Sequence, residues 1–324
     1  MRAGEDVQGG YALILAVVVV TLLAVAGLEL SREVRLSVSL ASNFKDRTLA
    51  RMKALDGLTL AAKAIVDDDP AYDSLSEDWA ALGAKLKQAR EKKDEKNKEA
   101  ASGGVSLDIR DLGGRLNLGL LVDQKGRTNA LWVGVFKRLL EVTGNDPDLL
   151  PALLDWLDKD SKVRTGGAEE AEYQALGKKY KPRNGPLLDM DELVLVRGFV
   201  GQTLDGGEKT TGLAGLVTVV GGSKINVNTA PLPVLRALDT GLRQSLAQAI
   251  VELREERPIR KLTELRGLVG MSRDLYRAIS PMLDVKSDWF EAECTGVSGR
   301  SRYRIRALIQ RDKKEVKVSE AKIG

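Results

Sequence analysis

YALILAVVVVTLLAVAGL, residues 11–28, contains no charged side chain and begins directly after Gly9-Gly10. As a helix rising ~1.5 Å per residue it is about 27 Å long, close to the ~30 Å hydrocarbon core of a bilayer. Ala24, Ala26 and Gly27 have the small side chains of a secretory cleavage site, yet no turn follows them. Glu29, Leu30, Arg32, Val34 and Leu36 carry the helical pattern onward, and no proline occurs before Pro70. The spacing therefore predicts one helix from about Tyr11 to about Val66. An ordinary single-span anchor and a longer rod both fit this segment taken alone.

Working outward, Leu49, Met52, Leu55, Leu58, Ala62 and Ile65 recur at steps of three and four. They predict an apolar stripe that packs the far half of the helix on a globular head. Asp67-Asp68-Asp69-Pro70 ends it. Residues 85–99 mix both signs of charge with few apolar positions and read as a solvated loop or helix extension. Val105, Leu107, Ile109, Leu116 and Leu118 alternate around Gly113-Gly114, as a strand or hairpin would. Helical spacing returns over 131–157, 168–176 and 188–196. Residues 212–228 look like a hairpin turning at Gly221-Gly222. Helices are then expected over 231–238, 242–254, 262–265 and 273–283, and alternating strands over 289–318. A helical block inserted into an α+β head is the simplest layout.

Composition narrows the chemistry. The chain has 324 residues, is 43% apolar and 30% charged, and carries a net charge of +4 from fifty basic and forty-six acidic residues. Such a balance does not predict a concentrated nucleic-acid surface. The absence of histidine removes Ser-His-Asp and Cys-His nucleophile pairs and every His-ligated metal site. A lone cysteine, Cys294, allows no intrachain disulfide and reads as a plain buried thiol in a strand.

Two constellations carry potential chemistry. Asp155, Asp158 and Asp160 lie at a helix end, Glu169 and Glu170 follow Gly166-Gly167, and Asn184 stands further on. Hard oxygen donors in a loop suit Ca²⁺. The spacing is not that of an EF-hand, and a solvated acidic helix end or an acid/base pair are the other readings. Second, Ile225-Asn226-Val227-Asn228-Thr229-Ala230 leads through Leu235, Asp239-Thr240-Gly241, Ile250 and Arg254 in a helix-hairpin-helix pattern, with a weaker copy at Arg266 to Met271. Hairpin glycines expose amides to phosphate in DNA-binding versions. Here one glycine of the pair is missing and an acid is added, which favours a structural hairpin.

In order, these stretches resemble the minor pseudopilin K family of type II secretion, the general secretion pathway protein K family. The likeness rests on Gly10-Tyr11-Ala12-Leu13-Ile14, Gly114-Arg115-Leu116-Asn117-Leu118, and Asp155 to Asp160 with Gly167-Ala168-Glu169. Tyr173, Arg183 to Leu187, Glu192 to Gly198 and Ile225 to Pro231 complete it. It implies a leader of residues 1–10 cut by prepilin peptidase between Gly10 and Tyr11, and a helix over 11–66 whose residues 11–28 span the inner membrane. It further implies a pilin-like α+β head from 67–118 and 287–324, with an α-helical domain containing helix-hairpin-helix-like elements inserted at 119–286.

Leu15 replaces the glutamate usual at the fifth mature position of pilin-like proteins, a departure that K-type members share and that suits a subunit with none above it. The leader bears Glu5 and Asp6 against Arg2, which predicts slow processing. The family's acidic loop binds calcium; carried over, its candidate ligands are Asp155, Asp158, Asp160, Glu169 and Asn184. The implied role is non-enzymatic. The chain would cap a periplasmic pseudopilus with minor pseudopilins I and J, contact other pseudopilins, help start assembly, and bind no nucleic acid. A membrane-anchored helix-hairpin-helix DNA-binding protein is the alternative, and a tethered hydrolase using the acidic cluster a third.

Overall fold

The computed structural model describes residues 5–69, 71–96, 103–312 and 315–323, with the side chains of 13–69, 71–89, 91, 103–312 and 315–319 described. Helix α1 spans Glu5–Val66, and α2 spans Asp78–Lys96. Strand β1 covers Gly103–Asp111. The chain then builds a separate body. Its elements are β2 (Leu116–Asn117), α3 (Ala130–Thr143), α4 (Leu149–Leu157), α5 (Glu170–Ala175), α6 (Gly201–Asp205), β3 (Val217–Thr218) and β4 (Ile225–Asn226). After these come α7 (Leu232–Leu238), α8 (Gln244–Glu256), α9 (Arg273–Ile279) and β5 (Leu283–Asp284). Strands β6 (Trp289–Ser298), β7 (Ser301–Asp312) and β8 (Glu315–Ile323) finish the fold.

The main sheet has the order β1-β6-β7-β8 and is antiparallel throughout. Asp111 pairs with Phe290 and Gly103 with Ser298, so everything between β1 and β6 leaves and re-enters between two neighbouring strands. That topology is an insertion beginning at Leu112, ahead of the Gly119 boundary expected from sequence. Leu116 and Leu118 explain the difference: both are buried in the core of the inserted body.

Nothing in residues 5–66 stops the first helix. Thr21, in the middle of the apolar run, donates Oγ1 back to the carbonyls of Val17 (2.7 Å) and Val18 (2.9 Å), so it brings no unpaired polar atom into lipid. The helix meets the sheet through a seam of small side chains. Ala50, Ala54 and Ala61 are fully buried with Ile65, and Gly57 faces Val105 and Cys294. A Cβ built on Gly296 of β6 would stand 1.9 Å from the Ala50 carbonyl oxygen, which shows how tightly α1 lies on the strand. The expected stripe is thus corrected in part. Ile65 is buried and Leu58 and Ala62 pack on the core, but Met52 (56%) and Leu55 (44%) remain open to solvent. Small residues won the seam because they let two backbones approach.

Above the sheet, Trp79 of α2 stacks edge-on against Phe290, with ring centroids 5.3 Å apart. Cys294 is buried there, and burial pushes its thiol up to about 12. The inserted body has its own larger core, drawn from α3, α4, α7, α8 and their connections. The hairpin expected over 212–228 is not formed, and of the strand or hairpin expected around Gly113-Gly114 the strand, β1, is what forms. Strand β2 pairs in parallel with β3, and β4 in parallel with β5, so Leu116 is not hairpinned with β1 and residues 212–228 do not fold on themselves. Residues Met190–Leu195 and Leu262–Gly267 are 3₁₀ turns rather than α-helix.

Candidate functional site

Helix α4 ends at Leu157, and its last turn delivers Asp155 and Asp158 into the molecule, both fully buried. Arg164 reaches back to them: Nη1 donates to Asp155 Oδ1 (2.6 Å) and to Asp158 Oδ2, and its backbone N–H donates to Asp155 Oδ2 (3.2 Å). Asp155 therefore has both oxygens engaged and acts as an internal anchor for the loop. Asp158 is different, because its Oδ1 is buried without a hydrogen-bond partner.

Two further orphaned acceptors are Glu169 Oε1 and Asn184 Oδ1. Glu169 is held at the start of α5, where its N–H donates to Glu172 Oε2 (2.9 Å). Asn184 sits in left-handed backbone, φ 52°, and its Nδ2 donates to the Asp160 carbonyl (2.7 Å). One carboxylate oxygen from each of Asp158, Asp160 and Glu169 lies within 4.8 Å of the others. Burial, followed by the neighbouring charges of Asp155, Asp158 and Asp160, raises the Glu169 pKa to about 7. Burial likewise raises that of Asp158. Three unpartnered buried oxygens beside an exposed carboxylate make an all-oxygen donor set that fits a hard cation such as Ca²⁺. The structure thus brings together four of the five expected residues and sets Asp155 beside them on Arg164.

Sequence reading did not single out Arg164, and it named Glu192 only as part of the stretch carrying the family likeness, with no role. Glu192 is the buried hub behind the loop: its Oε1 accepts from Trp156 Nε1 (3.0 Å) and Arg183 Nε (2.6 Å), and its Oε2 from Leu188 N–H (2.8 Å). Trp156, Tyr173 and Tyr180 pack around one another on the same side. No spacing rule announces such a hub; its one trace was the place of Glu192 at the head of the 192–198 stretch.

The Asn226-Val227-Asn228-Thr229 stretch turns out to be the joint between the two parts of the chain. Asn226 Nδ2 lies within hydrogen-bond distance of Asp73 O (3.0 Å), Ser287 Oγ (2.9 Å) and Asp111 Oδ2 (3.1 Å). Ser287 Oγ (2.7 Å) and Thr229 Oγ1 also donate to Asp111 Oδ2. Asn228 faces the opposite way, exchanging two hydrogen bonds with the backbone of Ile259, while Arg254 Nη1 donates to Val227 O and Ala230 O. In the first hairpin, Asp239 Oδ1 accepts the Gly241 N–H (2.7 Å). The amide that would grip a phosphate is thus capped by a carboxylate, which disfavours the DNA-binding alternative.

Gly10 and Tyr11 lie within α1, while the side chain of Tyr11 and all of residues 1–4 fall outside the described residues. Among the described residues, one helix is long and apolar enough to cross a membrane, and none of its apolar window is buried in the molecule.

Comparison with known proteins agrees with this geometry. Models of the type II secretion system protein K match residues 114–208 and 225–286. The type II secretion system protein K of Klebsiella pneumoniae is 27% identical over 338 residues, covering 98% of this chain and 97% of that one. That of Aeromonas hydrophila is 26% identical over 94% of both chains. The crystal structure of the GspK-GspI-GspJ complex from the type 2 secretion system of enterotoxigenic Escherichia coli contains a chain that superposes with a TM-score of 0.64. The two are 19% identical, and the match covers 85% of this chain and 96% of that one. The chain described here belongs to the type II secretion system protein K family and is a minor pseudopilin of that system.

Proposed function

We propose that this minor pseudopilin caps the tip of a periplasmic pseudopilus, assembled with the minor pseudopilins I and J, and helps to start the filament. The observation that carries this reading is the placement of the inserted body. It is joined to the head beyond Val66, the end of α1 farthest from the apolar span, through Asp73, Asn226 and Ser287. A rod with a bulky body at its far end suits a terminal position and would obstruct an internal one. The bare side of α1, with Met52, Leu55 and Leu60 exposed, supplies an apolar strip against which other such helices can pack.

Before assembly, residues 11–28 would hold the monomer in the inner membrane, after prepilin peptidase has cut between Gly10 and Tyr11. The acidic loop would bind one Ca²⁺ through Asp158, Asp160, Glu169 and Asn184, with Asp155 and Arg164 keeping its shape. The complex is tested by co-expressing the chain with the I and J proteins of the same organism and purifying from detergent extract. A ternary complex is expected, and Leu55→Asp should disrupt it while leaving the soluble head folded. Equal recovery of I and J with the charged variant, or no complex with the parent chain, would refute the assignment.

A further inference from the structure

A second group of carboxylates lies away from the acidic loop, where α1 gives way to the head. One oxygen from each of Asp68, Asp73 and Glu77 lies within 4.8 Å of the other two. Oxygens bound to one Ca²⁺ at about 2.4 Å can be no more than about 4.8 Å apart, so this spacing lets the three share an ion. Asp73 is fully buried. Its Oδ2 accepts the Ser287 N–H (2.7 Å) and Arg311 Nη2, while its Oδ1 has no partner. Asp68 Oδ2 is also without a hydrogen bond, its nearest cation being Arg311 Nη1 at 3.6 Å. Glu77 is aimed by two donors to its Oε2, the Ser74 N–H (2.6 Å) and Trp79 Nε1 (3.1 Å).

Arg311 does not close this cluster. It approaches Asp73 on the Oδ2 side, where Nη2 also donates to Ser287 O (2.8 Å), and it leans on the Phe290 ring. Three carboxylates against one guanidinium leave excess negative charge in a poorly solvated place. Burial accordingly raises Asp73 to about 6 and Glu77 to about 7. An unpartnered carboxylate oxygen in such surroundings is costly unless a cation meets it.

We propose that Asp68, Asp73 and Glu77 form a second divalent-cation site of the calcium type, distinct from the acidic loop, that clamps the end of α1 to the root of the inserted body. The clamp is placed for that task. Asp68 follows α1 directly, Asp73 holds Ser287 at the return to β6, and the Asp73 carbonyl accepts from Asn226. A bound ion would therefore join the three chain segments through which the rod carries its terminal body.

The test uses the full-length, detergent-solubilised chain carrying Asp158→Asn to silence the acidic loop. Tb³⁺ is the probe, its emission excited through tryptophan; Trp79, bonded to Glu77, is the neighbouring antenna. Saturable emission that Ca²⁺ displaces is expected to persist in this background. Adding Asp68→Asn or Glu77→Gln should shift the midpoint by about tenfold or more. Absence of saturable emission in Asp158→Asn, or a midpoint indifferent to both Asp68→Asn and Glu77→Gln, would overturn the proposal and leave Arg311 as the only counter-ion. Far-UV circular dichroism in chelator confirms that each variant compared is folded.

Discussion

Asn226 lies fully buried within hydrogen-bond distance of Asp73, Asp111 and Ser287. Asn226→Ala is therefore expected to cost about 2–4 kcal/mol, because it takes the donor from the Asp73 carbonyl and one of the donors from the buried Asp111 carboxylate; urea denaturation of the soluble part reads this directly. Glu169 gives a pH signature. In the calcium-free chain burial pushes its carboxyl from the ordinary 4.5 up to about 7. The folded state thus binds the proton more tightly, so this residue's contribution is complete below about pH 4.5 and lost as the pH climbs through 7. Glu169→Gln should flatten that part of the stability profile, and a profile identical to the parent's would contradict the assigned environment. At this scale legibility was uneven. Asp158, Asp160, Glu169 and Asn184 were named from their types and order. The roles of Arg164, Glu192 and Asp68 were not legible, because each acts on a partner distant in sequence or ordinary in type. Asp68 read only as part of a helix terminator.

Among the elements, the close seam between α1 and β6 makes the sharpest prediction. Gly296→Ala would push a Cβ to 1.9 Å from Ala50 O and 2.7 Å from Ala54 N, both backbone atoms with little room to yield. A loss of about 3 kcal/mol or more in chemical denaturation is expected; a loss below about 1 kcal/mol would mean that the helix stands off the sheet. The acidic loop belongs to this scale too. Ca²⁺ should raise the melting temperature, by about 2.7 kcal/mol of added stability at a hundredfold excess over its Kd, and Asp158→Asn should shrink the rise. Superimposable melting curves in calcium and chelator would remove the ion. The long helix and the C-terminal strands were legible because their periodicity is strong and uninterrupted. The face of the helix was misassigned because apolar side chains at 49, 52 and 55 outrank alanine and glycine on any hydropathy reading, whereas close packing selects the small ones. The two-residue strands β3 and β4 were misread as a hairpin because their parallel partners lie far along the chain.

At the scale of the whole molecule, an exposed apolar rod is continuous with a folded head, and a helical body is joined to that head through a buried polar cluster. The insertion was legible as a block of helical periodicity between alternating stretches, but its point of departure was not, since only the pairing of Asp111 with Phe290 reveals where the sheet is interrupted. The account depends on the rod's being able to leave the bilayer and enter a filament, and on its N-terminus being freed for that step. Intact-mass and N-terminal analysis of the protein extracted from native membranes tests this most directly. The account predicts a mature chain beginning at Tyr11; a chain that still begins at Met1, or one that begins beyond Gly27, would contradict it.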